Sequence, residues 1–249
     1  MALTLLEMVQ DILSEINGDE VNSIADTEES EAIARIIRTA YRDLSSHTSW
    51  PHTRRAVALT ARSDTNFPTH FTVNSDVKKL VSIYYDVRDA GETRRQYKLM
   101  EYKDPDDFLV YLNKRDNDQA NVDVVVDDSG IELLIMNDKA PTYYTSFDDL
   151  NLIFDSYDSA VDSTLQESKL QAQGYIIPSF SLTDSFTPDL PTDAFSLLYQ
   201  ESLSRVQLKF REFQDLKAEG EATKQSRWMS RQAFKVNGGI KYPNYGRHK

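Results

Sequence analysis

The sequence predicts an α+β protein: a helical bundle, made of an N-terminal helical hairpin and a long C-terminal helix, with an inserted antiparallel β-sheet or sandwich region and an extended C-terminal arm. Three observations predict it. Apolar residues recur at helical spacing near both ends of the chain, and at period two between them. The last 29 residues, 221–249, then carry seven Lys/Arg (Lys224, Arg227, Arg231, Lys235, Lys241, Arg247, Lys249) against the single acid Glu221. That is about +6 in a chain of net charge −12, so the first 220 residues hold about −18.

Residues 1–50 form the hairpin. Thr4 and Glu7 make a capping box, after which Leu5, Leu6, Val9, Ile12, Leu13 and Ile16 share one face and Asn17-Gly18 stops the helix. A second helix starts near Asp26-Thr27, with Glu28, Glu29 and Glu31 at the positive end of its dipole and Ile33, Ile36, Ile37, Ala40, Tyr41 and Leu44 on its apolar stripe. Residues 51–187 are the β-rich insertion. Ala56–Leu59, Phe71–Val73, Lys79–Tyr85 and Tyr97–Met100 read as strands, and Asp104-Pro105-Asp106 opens a short helix. Val122–Val126 and Ile131–Ile135 flank a hairpin turn, and Pro141–Thr145, Asn151–Phe154 and Tyr175–Ile177 supply further strands. Residues 188–223 hold the last helix. It is predicted from Thr192 to beyond Lys217, roughly 25–30 residues, packing back on the hairpin. Residues 224–249 are the arm, with Trp228, Phe234, Tyr242 and Tyr245 as anchors and Gly238-Gly239 and Pro243 as breaks.

Composition narrows the function. The chain has no cysteine, which excludes disulfides, thiolate metal sites and thiol catalysis. No window approaches the ~18 uninterrupted apolar residues of a membrane span, and the start of the chain lacks the pattern of a signal peptide. An acidic body repels DNA and anionic membranes at long range. Nucleotide-binding glycine loops and Gly-x-Ser-x-Gly are absent. The histidines (His47, His52, His70, His248) lack the i, i+4 spacing of a helical metal pair. Carboxylates cluster at Asp104/Asp106/Asp107, Asp116/Asp118, Asp127/Asp128, Asp148/Asp149 and Asp155/Asp158. Pairs of that kind serve glycoside hydrolysis or cation binding, and they equally serve turns in which Asp bonds its own backbone. The tyrosines of the β region (Tyr84, Tyr85, Tyr97, Tyr102, Tyr111, Tyr143, Tyr144, Tyr157) suit strand faces and interfaces, with carbohydrate stacking the sharper alternative. No cofactor, metal site or catalytic residue is assigned.

The order helix–helix, sheet, helix, arm resembles the head-to-tail adaptor (connector, or tail-tubular) proteins of short-tailed bacteriophages. The features that carry the resemblance are the hairpin ending in Trp50-Pro51, the inserted β region, Leu190-Pro191 before the last helix, Arg227-Trp228-Met229, Asn237-Gly238-Gly239, and Pro243-Asn244-Tyr245-Gly246-Arg247. The resemblance implies a virion protein at the head–tail junction: a ring, usually of twelve copies, beneath the portal protein. DNA would pass through its channel without specific binding, and the next tail component (nozzle or tail tube) would attach below. It implies that Arg227, Trp228, Arg231, Phe234, Lys235, Tyr242, Tyr245 and Arg247 dock the arm on the portal. A tail-associated cell-wall glycosidase or a glycan-binding tail module is the alternative.

Overall fold

The computed structural model describes residues 3–47, 49–211, 219–220, 222–224 and 226–227, without the side chains of His47 and Asp193. The chain divides into two compact units, one of Met1–Thr53 with Ile177–Lys249 and the other Arg54–Ile176.

In the first unit, α1 (Leu5–Glu15) is fixed at its first turn. The Glu7 N–H donates to Thr4 Oγ1 at 3.3 Å, and the Thr4 N–H donates to the Glu7 carboxylate at 2.7 Å. Asn17 takes a left-handed φ of 52°, and the Gly18 N–H closes on the Leu13 carbonyl at 2.8 Å. α2 (Glu28–His47) has three acids in its first turn, where Thr27 Oγ1 accepts from the Ser30 N–H at 3.0 Å. α4 (Phe195–Arg211) completes the unit. Leu5, Ile12, Ile33, Ile37, Leu198 and Val206 are fully buried in one cluster shared by the three helices. Each such side chain contributes about 1.5–3 kcal/mol. The segment before α4 is tied in as well, because Asp184 Oδ1 accepts from the Ile24 N–H at 2.9 Å.

The second unit contains three sheets. Sheet A has the order β1 (Arg54–Val57), β11 (Leu170–Ile176), β4 (Val77–Asp86) and β5 (Tyr97–Leu99), all antiparallel. Sheet B runs β2 (Leu59–Ala61), β3 (His70–Val73), β10 (Asn151–Phe154), β9 (Tyr143–Thr145) and β6 (Glu101–Tyr102), and its β6–β9 pair is parallel. Sheet C is the hairpin of β7 (Val122–Val126) and β8 (Glu132–Met136). The short helix α3 (Pro105–Leu112) buries Phe108 and Leu112. Phe71, Ile83, Leu133 and Phe154 centre a core of the unit's own, with Phe71 and Phe154 edge to face at 5.4 Å.

The architecture corrects the expected fold class. The protein is a mixed α/β molecule of helices and three sheets, and not a helical bundle with a long C-terminal helix. Two physical reasons stand out. Pro191 is extended (φ −57°, ψ 147°) and Thr192–Ala194 form a 3₁₀ turn, so α4 begins only at Phe195 and is described for 17 residues. Its last fully buried residue is Val206, beyond which Phe210 is half-buried and Leu208 is 60% exposed, and the expected continuation at 212–218 lies outside the described residues. The apolar period that suggested a long packed helix therefore overstates the packed length. The β region is likewise not one antiparallel sheet. The run Ala56–Leu59 breaks at Ala58, sending β1 to sheet A and β2 to sheet B.

Candidate functional site: a groove beside the basic segment

Of the residues expected to dock a partner, Arg227 is described; Trp228, Arg231, Phe234, Lys235, Tyr242, Tyr245 and Arg247 lie outside the described residues. Arg227 is exposed and helical, and it lines a groove of about 450 Å³ in the first unit. Asp43 and Leu44 of α2 and Leu197, Glu201 and Arg205 of α4 form the walls, joined by Trp50 and Ala222.

Local chemistry builds this groove. Trp50 Nε1 donates to the Leu44 carbonyl at 2.9 Å, satisfying one of the open carbonyls at the C-terminal end of α2. The following 3₁₀ turn, Pro51–Thr53, closes with Thr53 Oγ1 donating to the Trp50 carbonyl at 2.8 Å. The indole packs with Ala194 and Leu190 and is only 5% exposed. Arg205 donates through Nη1 to Asp43 at 2.8 Å, and through Nε and Nη2 to the single oxygen Oε1 of its own helix partner Glu201 at 2.9 and 2.8 Å. Asp43 and Glu201 hold the Arg205 pKa above its ordinary value, against the opposing effect of burial. The result is an apolar wall beside a charge cluster of net −1 (Arg205 with Asp43 and Glu201), with Arg227 also lining the groove. Arg205, Asp43 and Glu201 had no place in the reading of the sequence; the i, i+4 spacing of Glu201 and Arg205 was the available signal.

The sequence's other candidates are distributed differently. Asp155 is fully buried: its Oδ1 accepts from the Thr142 and Tyr143 N–H groups, each at 2.9 Å, and its Oδ2 pairs with Arg115 at 3.1 Å. Asp148 accepts from the Leu150 and Asn151 N–H groups, and Asp158 from the Ala160 N–H, as turn residues do. Asp128 pairs with Arg62. His70 is buried, with Nε2 3.2 Å from Asp127 Oδ1, and desolvation lowers its pKa despite that carboxylate. His52 lies beside Trp50, their rings 6.4 Å apart. The His47 side chain and His248 lie outside the described residues. Among the described residues no group of three or more His, Asp or Glu is placed to hold a metal ion.

The tyrosines divide between core and surface. Tyr85, Tyr144 and Tyr157 are buried; burial, reinforced by the Asp123 carboxylate that Tyr157 donates to at 2.6 Å, pushes Tyr157 up to about 12. Tyr102 is 54% exposed and edge to face with Tyr144 at 5.6 Å, over a groove of about 520 Å³ in the second unit. Among the described residues no helix is long and apolar enough to cross a membrane. No protein-family model matches the chain, and no curated protein is similar to it.

Proposed function

We propose that the chain is a structural virion protein, a head-to-tail adaptor that assembles as a ring beneath a portal protein and continues the DNA channel into the tail. The observation that carries this reading is the segregation of charge: about +6 in residues 221–249 after a body of about −18. The groove that Arg227 lines adds an apolar wall, with Leu44, Trp50 and Leu197, beside the described start of that basic segment. An acidic body offers no anchors to phosphates, so DNA slides past it; a basic one would bind DNA with steep salt dependence. A basic aromatic segment on every subunit gives a symmetric partner a multivalent hold, because each docking raises the effective concentration for the next.

Removal of residues 228–249 tests the reading, since the cut leaves Arg227 and the buried Ala222 in place. The full chain, 28.5 kDa as a monomer, is expected to gain ring-sized mass on the portal complex of its particle. The shortened chain is expected to keep its helix and strand content and lose that attachment. Attachment of the shortened chain at full affinity refutes the role given to the segment, and a full chain that ignores the portal refutes the adaptor reading.

A further inference from the structure

The second unit is electrically lopsided. Residues 54–176 hold 14 Lys/Arg and 22 Asp/Glu, a net of −8. The four strands of sheet A nevertheless contain five cations (Arg54, Arg55, Lys78, Lys79, Lys98) and one acid, Asp86, which is buried and paired with Arg88. Sheet A is therefore about +4 and the remainder of the unit about −12.

Register shows what the outer face of sheet A displays. Arg54, Tyr175 and Lys79 stand directly opposite one another across β1, β11 and β4. Ala56, Gln173 and Ser82 form a second row, and Gln171, Tyr84 and Leu99 a third. Neighbours on the other parity, Val57, Ala172 and Ile83, are core residues. The outer face thus lacks an exposed carboxylate in the strands, and adds Val81 (42% exposed, at the β-bulge) and Leu99 (48%). Arg95 reaches the same face through the Tyr97 hydroxyl at 3.5 Å.

The complement is α3. Its exposed side presents Asp106 and Asp107, with Val110 three to four residues on and 59% exposed, the most exposed large apolar side chain in the second unit. A helix about 10–12 Å across fits over three strands spaced about 4.8 Å apart. Acids then meet Arg54 and Lys79, while Val110 meets Val81, two residues along β4 from Lys79.

We infer that sheet A of one copy binds the α3 face of a second copy, a head-to-tail contact that repeats from subunit to subunit. The two patches differ, so the contact is heterologous and closes a ring when its rotation permits. Opposite charge sets the register and rejects sheet-to-sheet and helix-to-helix encounters. The inference deepens the ring reading, and rests on it only in expecting the contact to close.

Zero-length carbodiimide coupling of the full chain at high concentration tests it, since the reagent joins a Lys amine to an Asp carboxylate in direct contact, expelling water. K79Q is mixed with D106N/D107N, so that any amide from Lys79 to Asp106 or Asp107 must join two copies. That amide is expected in the mixture and absent from either variant alone. R54Q/R95Q, which keeps Lys79, is expected to cut its yield several-fold in an otherwise unaltered chain. Lys79 coupling only to other carboxylates, or no coupling in the mixture, overturns the contact. Retention of a single-stranded oligonucleotide or heparin through Arg54 and Lys79, without the amide, also overturns it in favour of a polyanionic partner. The portal experiment is separate: a chain that ignores the portal yet forms this amide refutes the adaptor reading and leaves the contact standing.

Discussion

Asp155→Ala is expected to be the most damaging single change in the second unit. The side chain is fully buried on β10's C-terminal flank and holds three segments together. Oδ1 receives the Thr142 and Tyr143 N–H groups that lead into β9, and Oδ2 receives Arg115 from beyond α3 and the Tyr111 hydroxyl at 3.4 Å. Arg115 is itself only 9% exposed, and its Nη1 also donates to the Leu134 and Asp155 carbonyls at 2.7 and 2.6 Å. Truncation leaves a buried guanidinium without its counter-charge and two N–H groups without an acceptor. Breaking a buried pair from one side costs about 3–5 kcal/mol. Each orphaned N–H is worth about 1–3 kcal/mol, but these overlap with the same loss and are not added. A destabilisation of about 3–5 kcal/mol is therefore expected. Arg115→Met is expected to cost less, because Asp155 keeps its backbone donors. Urea unfolding followed by far-UV circular dichroism gives the number. Tryptophan emission serves as an internal control, since Trp50 and Trp228 both lie outside residues 54–176. A loss below about 1 kcal/mol for Asp155→Ala would show that the cluster is not a structural node.

His70 predicts a pH dependence. Burial lowers its pKa from the ordinary 6.5, so the folded state disfavours the charged ring, and among the described residues Nδ1 has no partner to receive a proton's hydrogen bond. Stability from this group is fully present above pH 6.5 and is lost as pH falls through the folded value, with a slope of at most about 1.4 kcal/mol per pH unit. Urea midpoints from neutral to mildly acidic pH check it, with His70→Phe expected to flatten that part of the curve; a midpoint that rises on acidification contradicts it. Gly174→Ala is expected to cost about 1–3 kcal/mol, because a Cβ there meets the Lys79 carbonyl at 2.7 Å and Val57 Cγ2 at 3.0 Å. Thermal unfolding measures the cost, and an unchanged midpoint would mean that the β-bulge beside it yields freely.

Local signals in the sequence translated well where the chemistry was local. Thr4 and Glu7 mark the start of α1, the acids at 28, 29 and 31 mark α2, and Pro105 marks α3. Asn151–Phe154 is a strand in both readings. What failed depends on partners far along the chain. The break at Ala58 is invisible in an alternating run, because it is set by β11 capturing β1 and β3 capturing β2. The packed length of α4 was overestimated because Leu208 continues the apolar period while 60% exposed; the expected continuation at 212–218 lies outside the described residues. In the groove, Trp50 and Arg227 had been singled out, whereas Arg205 gained its meaning only when α2 brought Asp43 within 2.8 Å. The lopsided charge of the second unit was hidden because its five strand cations come from three separated segments.

The pairing of Arg54 with Tyr175 means that the chain leaves and rejoins the first unit through two adjacent strands. Neighbouring strands lie about 4.8 Å apart. To the rest of the polypeptide, some 120 residues therefore look like a very short bridge. Any other domain whose ends sit side by side could occupy that gap without lengthening the backbone around it. A lineage carrying this arrangement is free to exchange or elaborate the whole β unit, and with it whatever that unit touches, while the sequence rules for the helices at either end stay unchanged.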